Sequence, residues 1–190
     1  MTYFIIIISA IIVNNVVLAQ FLGICPFLGT SKRFSTAVGM SSAVIFVIVL
    51  STIFTWFVQK FLLEPFNITY LQTIAFILVI ASLVQIVEIV LKKVSPPLYQ
   101  ALGIFLPLIS TNCAILGVAI MTANKGYNLL EGVIFSASTG IGFGLALVIF
   151  ACIREQLDLV DIPNEMKGAP IALITTGILA MAFMGFTGLV

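Results

Sequence analysis

Six stretches of this sequence carry no charged residue: 1–31, 34–59, 65–87, 94–124, 132–153 and 168–190. The lysines, arginines and acids are confined to the short intervals between them. A bilayer core is crossed by about 20 consecutive apolar residues in a helix. The pattern therefore predicts an all-α membrane protein with six transmembrane helices. A soluble helical bundle is the competing reading, and composition disfavours it. Of the 190 residues, 62% are hydrophobic and 8% charged, whereas soluble domains carry about 25% charged residues. Residues 1–190 read as a single integral membrane domain with almost no soluble part.

Composition also excludes several chemistries. The formal net charge is +1, which gives nucleic acid no basic surface to bind. The chain has no histidine, so imidazole acid–base work and His-ligated metals are ruled out. Its three cysteines, Cys25, Cys113 and Cys152, are odd in number and widely spaced, unlike a disulfide framework. Met1-Thr2-Tyr3-Phe4 lacks a basic n-region, so the first segment is expected to be a spanning helix and not a cleaved signal.

Two segments are too long for the membrane. The first and fourth are 31 residues each, and the other four 22 to 26. A straight helix of that length reaches about 46 Å, against a hydrocarbon core of about 30 Å. Both contain helix breakers: Gly23, Pro26 and Gly29 in one, Gly103, Pro107 and Gly117 in the other. They also resemble each other. Cys25-Pro-Phe-Leu28-Gly29 and Cys113-Ala-Ile-Leu116-Gly117 both read C-x-x-L-G, 88 residues apart, and each follows a Phe-Leu pair, Phe21-Leu22 and Phe105-Leu106. An internal repeat follows, with repeat one at about 1–92 and repeat two at about 93–190. Three spans per half is odd, so the halves are inverted. Such repeats place broken helices near the bilayer midplane, at the interface between halves, where unwound backbone must be buried in protein or line a cavity. Cys25 and Cys113 are expected to approach each other there.

Orientation follows from the basic residues. With the N-terminus outside, the inner loops carry Lys32, Arg33, Lys92, Lys93, Arg154 and Lys167, and the outer loops only Lys60 and Lys125. The positive-inside rule then puts both termini outside. The acids Glu155, Asp158, Asp161 and Glu165 count for little under that rule.

Free cysteine is often a small buried hydrophobe. That account suits Cys152, which has no breaker around it. For Cys25 and Cys113, packing and a shared site both remain open. A disulfide needs α-carbons within about 7 Å, which the repeat permits. A zinc or iron–sulfur site usually takes four ligands. With two thiols and no histidine, this chain would hold half of one, and a second chain with its own cysteine pair would supply the rest.

Three stretches carry a family resemblance: Asn14-Asn15-Val-Val-Leu-Ala-Gln20-Phe-Leu-Gly-Ile-Cys25-Pro-Phe-Leu-Gly-Thr-Ser-Lys32, Leu106-Pro-Leu-Ile-Ser-Thr-Asn112-Cys113-Ala-Ile-Leu-Gly-Val118 and Met181-Ala-Phe-Met-Gly-Phe-Thr-Gly-Leu-Val190. The chain resembles the NqrDE/RnfAE family, and within it the RnfA branch of Rnf complexes more than NqrE of the sodium-pumping NADH:quinone oxidoreductase. The likeness runs along essentially the whole chain. It implies a membrane component of a complex that couples ferredoxin/NAD electron transfer to Na⁺ or H⁺ transport. It further implies an intramembrane [2Fe–2S] cluster shared with the homologous Rnf component, RnfE, two cysteines from each. The family's motif cysteines fall on Cys25 and Cys113. The chain has no nucleotide motif, so nucleotide and flavin are expected on other Rnf subunits: ferredoxin-type, flavin-carrying and NAD-binding. A multi-pass place in the bacterial or archaeal cytoplasmic (inner) membrane, in contact with lipid, is implied too.

Asn14, Asn15, Gln20, Ser110, Thr111 and Asn112 are polar groups at membrane depth. They either satisfy backbone freed by the breaks or hydrogen-bond to cluster sulfurs. Thr111 and Asn112 suit the second role best, because they adjoin Cys113. Glu88 is an acid inside a predicted span, and such carboxylates are suspects for an ion pathway. It also lies four residues before Lys92, where an i,i+4 ion pair is the plainer account. Gly140 and Gly144 form a G-x-x-x-G motif suited to close helix packing. Two other function classes compete with the electron-conducting reading. One is a secondary transporter, for which inverted repeats are common. The other is a structural anchor for redox subunits. Neither needs two matched cysteines at the breaks.

Overall fold

The computed structural model describes residues 6–31, 33–63, 65, 69–94, 106–160, 163 and 166–185. Sequence readings that rest on Lys32, Gly103, Phe105, Asp161, Glu165 or the last five residues lie outside them.

The described residues are helical, with no strand among them. A helical start runs into a π-helical turn, Ser9–Val13. After an irregular stretch comes α1, Ile24–Thr30. Next are α2, Phe34–Val58, prolonged by a π-helical turn, Gln59–Leu63, and α3, Gln72–Val94, entered through a 3₁₀ turn at Thr69–Leu71. Helices α4, Leu106–Ser110, and α5, Cys113–Asn124, are separated only by Thr111 and Asn112. Last come α6, Leu129–Leu157, and α7, Ala169–Met184. Four stretches among the described residues are long and apolar enough to cross a membrane: Phe34–Leu63, Gln72–Val90, Pro107–Asn124 and Leu129–Leu157. Ala169–Met184 is apolar but shorter.

The central pair is α2 against α6, with α5 packed on both and the Ser9–Val13 turn laid on α6. The α2–α6 contact has a local cause. A β-carbon on Gly140 would lie 3.2 Å from Ile45 Cγ1 and 3.3 Å from its Cα, and one on Gly144 3.2 Å from the β-carbon of Ser41. The G-x-x-x-G motif is thus used inside the chain, where small residues let two backbones close up. Met40, Val44 and Ile48 of α2 and Phe143, Leu147 and Phe150 of α6 are fully buried.

Outside this core the helices are greasy. Ile74, Leu78, Ile86 and Ile89 of α3 and Ile178 and Met181 of α7 are each at least 60% exposed. In water such a surface would be an aggregation hazard, and in lipid it is solvated. Several hydroxyls of the spans bond to their own backbone: those of Ser41, Thr52, Thr122 and Thr139 donate to the carbonyl four residues earlier.

Basic residues mark both ends of the bundle. At one, Lys60 lies over the Trp56 ring and Lys125 over Phe135, 4.7 and 4.9 Å from the centroids. There the Trp56 Nε1–H donates to the Tyr127 carbonyl at 3.2 Å. At the other, Arg154 donates to the Leu28 carbonyl and the Ser31 hydroxyl, at 2.8 and 3.0 Å. The ends of α1 and α6 therefore share one side, and the ends of α2 and α5 the opposite one.

Candidate functional site

Both long segments are interrupted, though not at every expected breaker. In the first, helical order stops at Asn14 and resumes at Ile24. Asn15, fully buried, organises the gap. Its Oδ1 accepts from Val17 N at 3.0 Å, and its Nδ2 donates to the Gly142 carbonyl of α6 at 2.8 Å. The Leu22 amide closes the loop on the Val16 carbonyl, 3.0 Å away. Phe21 (φ 55°) and Gly23 (φ 83°) are left-handed, a conformation that is unusual for a bulky residue such as Phe. Pro26 and Gly29 then lie within α1. Proline is tolerated in a first turn, because the N–H it lacks would have no helical partner.

The second break is narrower. Ser110 and Thr111 both donate their hydroxyls to the Pro107 carbonyl, at 2.9 and 2.8 Å. Asn112 caps α5, its Oδ1 accepting from Ala114 N at 3.0 Å. This repeats the Asn15 arrangement, an asparagine oxygen holding the amide two residues on. Gly117 is again inside a helix and serves packing, since a β-carbon there would lie 2.5 Å from Leu22 Cδ1. Gly29 is exposed, and a β-carbon there would make only ordinary contact with Leu108 Cδ1, at 3.6 Å. The glycine of each C-x-x-L-G motif thus faces a leucine of the other long segment, closely only at Gly117.

Each matched cysteine stands in the first turn of the helix after its break: Cys25 is the second residue of α1, and Cys113 the first of α5. First-turn N–H groups and the helix dipole favour an anion at that position. The two motifs meet directly. The Gly23 amide donates to Cys113 Sγ at 2.9 Å, which puts Cys113 against the backbone two residues before Cys25. Cys25 is exposed and Cys113 half-buried. Cys152 is exposed on α6, away from both breaks in sequence.

The remaining predicted residues divide. Asn112 is buried, 3% exposed, and its Nδ2 has no partner. Thr111 is exposed, and its hydroxyl is spent on Pro107. Gln20 is exposed and lines a separate cavity with Ser9 and Lys125. Glu88 is half-buried on α3 and Lys92 exposed one turn later. Sequence reasoning missed Gly23 as a donor and Arg154 as the cap of α1. Both bonds join residues about a hundred positions apart, and no local pattern signals them.

A family model described as Rnf-Nqr subunit, membrane protein, matches residues 3–190. The chain belongs to the Rnf–Nqr family. Among its relatives, the A-type subunit of an ion-translocating oxidoreductase complex from Syntrophotalea carbinolica is 56% identical, covering 97% of this chain and 96% of the relative. The A-type subunit of a Na(+)-translocating ferredoxin:NAD(+) oxidoreductase complex from Acetobacterium woodii is 55% identical over 100% and 98%. A counterpart from Sodalis glossinidius, again the A-type member of an ion-translocating oxidoreductase complex, is 52% identical over 99% and 97%. The likeness runs through both breaks of this Rnf–Nqr chain.

Proposed function

We propose that this chain is the A-type membrane component, RnfA, of an ion-translocating ferredoxin:NAD oxidoreductase complex, and that Cys25 and Cys113 are half the ligand set of an intramembrane [2Fe–2S] cluster. The homologous component RnfE completes the set with two thiols of its own. Ferredoxin, flavin and NAD are handled by other Rnf subunits. The observation that carries the reading is the Gly23 N–H···Sγ bond to Cys113, because it joins the two cysteine motifs at their breaks.

The donor set fits such a group. Cys25 and Cys113 give two ligands, so a second chain would have to supply the other two. Thiolates are the ligands such clusters take. The orphaned Asn112 Nδ2 is a hydrogen-bond donor buried beside one of them. A bound cluster would supply one-electron chemistry at a potential tuned by hydrogen bonds to its sulfurs. The chain's own part is to hold two thiols at helix starts and to donate to Cys113 from Gly23.

The same reading takes the breaks to lie near the midplane of two inverted halves, with both termini outside. The matching asparagine bonds, Asn15 Oδ1 to Val17 N and Asn112 Oδ1 to Ala114 N, support the pseudo-symmetry. The Arg154 end, richer in basic residues in the sequence, would face the cytoplasm.

The test is iron content and low-temperature EPR of the reduced, purified complex, comparing wild type with Cys25→Ser, Cys113→Ser and Cys152→Ser. Loss of a [2Fe–2S] signal in the first two alone, with the complex still assembled, is the expected result. A wild type with no [2Fe–2S] signal, or a signal indifferent to all three changes, would reduce the cysteines to packing residues and favour a transporter.

A further inference from the structure

Among the described residues, the polar side chains that adjoin Cys113 have their hydrogens accounted for except one. The hydroxyls of Ser110 and Thr111 go to Pro107. The corresponding amide in the first break, on Asn15, gives its Nδ2 hydrogens to Gly142 and, at 3.3 Å, to Ile11. Of the two break asparagines, Asn112 keeps an NH₂ with no partner among the described residues, although the residue is only 3% exposed. Rotating the amide is no remedy. Oδ1 is fixed by the Ala114 N–H it accepts, and a flip would set donor against donor.

A buried donor without a partner destabilises the fold, because it has lost its water and gained nothing in exchange. The cap does not require that cost. Serine, threonine or aspartate caps a helix about as well as asparagine, and none carries an NH₂. The unspent group is therefore not explained by the helix it starts. It is adjacent to Cys113 in the chain and shares with it a cavity of about 340 Å³ lined by Ile77, Ile80, Ala81 and Leu116, with Ser110 and Thr111 as its other polar residues. The walls of that cavity offer apolar contact and few acceptors. What the carboxamide lacks is an acceptor at Cys113, and sulfur carrying negative charge is one.

We propose that Asn112 is a positioning residue for the metal centre bound at Cys113, its carboxamide NH₂ donating to a sulfur of that centre and raising its reduction potential. The inference rests on the cluster reading above. Reduction adds one negative charge, and a fixed donor stabilises the reduced state more than the oxidised one. With the Gly23 amide, Cys113 would have two donors on its side of the site. Among the described residues none donates to Cys25.

The experiment is a redox titration followed by EPR on the purified complex, for wild type, Asn112→Ser and Asn112→Ala. Serine keeps the cap and withdraws the NH₂, and alanine removes both. Both variants are expected to move the midpoint potential to more negative values by similar amounts, although only alanine loses the cap. If Asn112→Ser keeps the wild-type potential while Asn112→Ala does not, the side chain is only a cap and the proposal falls. A second measurement does not depend on the variants assembling. In wild-type complex with asparagine labelled with ¹⁵N at the side chain, pulsed EPR of the reduced centre should show a ¹⁵N coupling. No coupling to a visible centre overturns the role of Asn112. No [2Fe–2S] signal in the wild type overturns the cluster reading instead.

Discussion

Replacing Gly23 by alanine tests the join between the two breaks. Gly23 has φ 83°, and an L-residue there costs about 1–2 kcal/mol relative to right-handed backbone. The new β-carbon would lie 2.8 Å from Phe143 Cε2, 3.1 Å from the β-carbon of Ala114 and 3.4 Å from Asn112 Oδ1. Phe143 and Ala114 are fully buried, so neither can retreat freely, and overpacking of this kind costs about 1–3 kcal/mol. The sum is about 2–5 kcal/mol. Gly126 supplies the internal control. It is also left-handed, at φ 61°, yet a β-carbon there would meet nothing within 4 Å. Gly126→Ala should therefore carry only the conformational part, about 1–2 kcal/mol. Thermal denaturation of both variants in one detergent should rank Gly23→Ala below Gly126→Ala by about 1–3 kcal/mol. Adding Phe143→Leu should recover part of the deficit in the Gly23 variant and cost stability alone, a coupling that a double-mutant cycle reads directly. Equal destabilisation of the two glycine variants, or no coupling to Phe143, would refute the packing described at the break.

Two further outcomes follow from the same contacts. Gly140→Ala pushes a methyl against the Ile45 backbone and should destabilise by about 1–3 kcal/mol. Gly39→Ala, in α2 with open space around it, should be neutral or stabilising by up to about 1 kcal/mol, and thermal melts of the pair check the difference. Arg154→Gln breaks charge-assisted bonds to Leu28 and Ser31, each worth about 1.5–3 kcal/mol when the donor is charged. In the iron-free chain it should free the end of α1 and speed maleimide labelling of Cys25, while labelling of Cys152 stays at the wild-type rate.

The breaks show where sequence reading stopped. Pro26, Gly29 and Gly117 look like helix breakers and lie inside helices. The gaps are made instead by asparagines, whose side chains compete with helix by holding the backbone two residues on. A residue's propensity states what it tolerates, and neighbours decide which tolerance is used. Pro26 is harmless because α1 starts just before it, and Gly117 is in place because Leu22 packs there.

What the sequence determined by itself is the solvent and the chemistry. Uncharged runs of 22 residues and more demand lipid, and the absence of histidine beside two matched cysteines limits the ligands. Both are properties of composition and spacing, which survive without coordinates. The tertiary structure alone decided that the two motifs touch, through Gly23 and Cys113, that G-x-x-x-G is spent on α2 within the chain, and that Asn112 keeps an unpaired NH₂ where Asn15 does not. Those facts depend on hydrogen bonds and van der Waals contacts between residues about a hundred positions apart, which only the folded chain brings within about 3–4 Å.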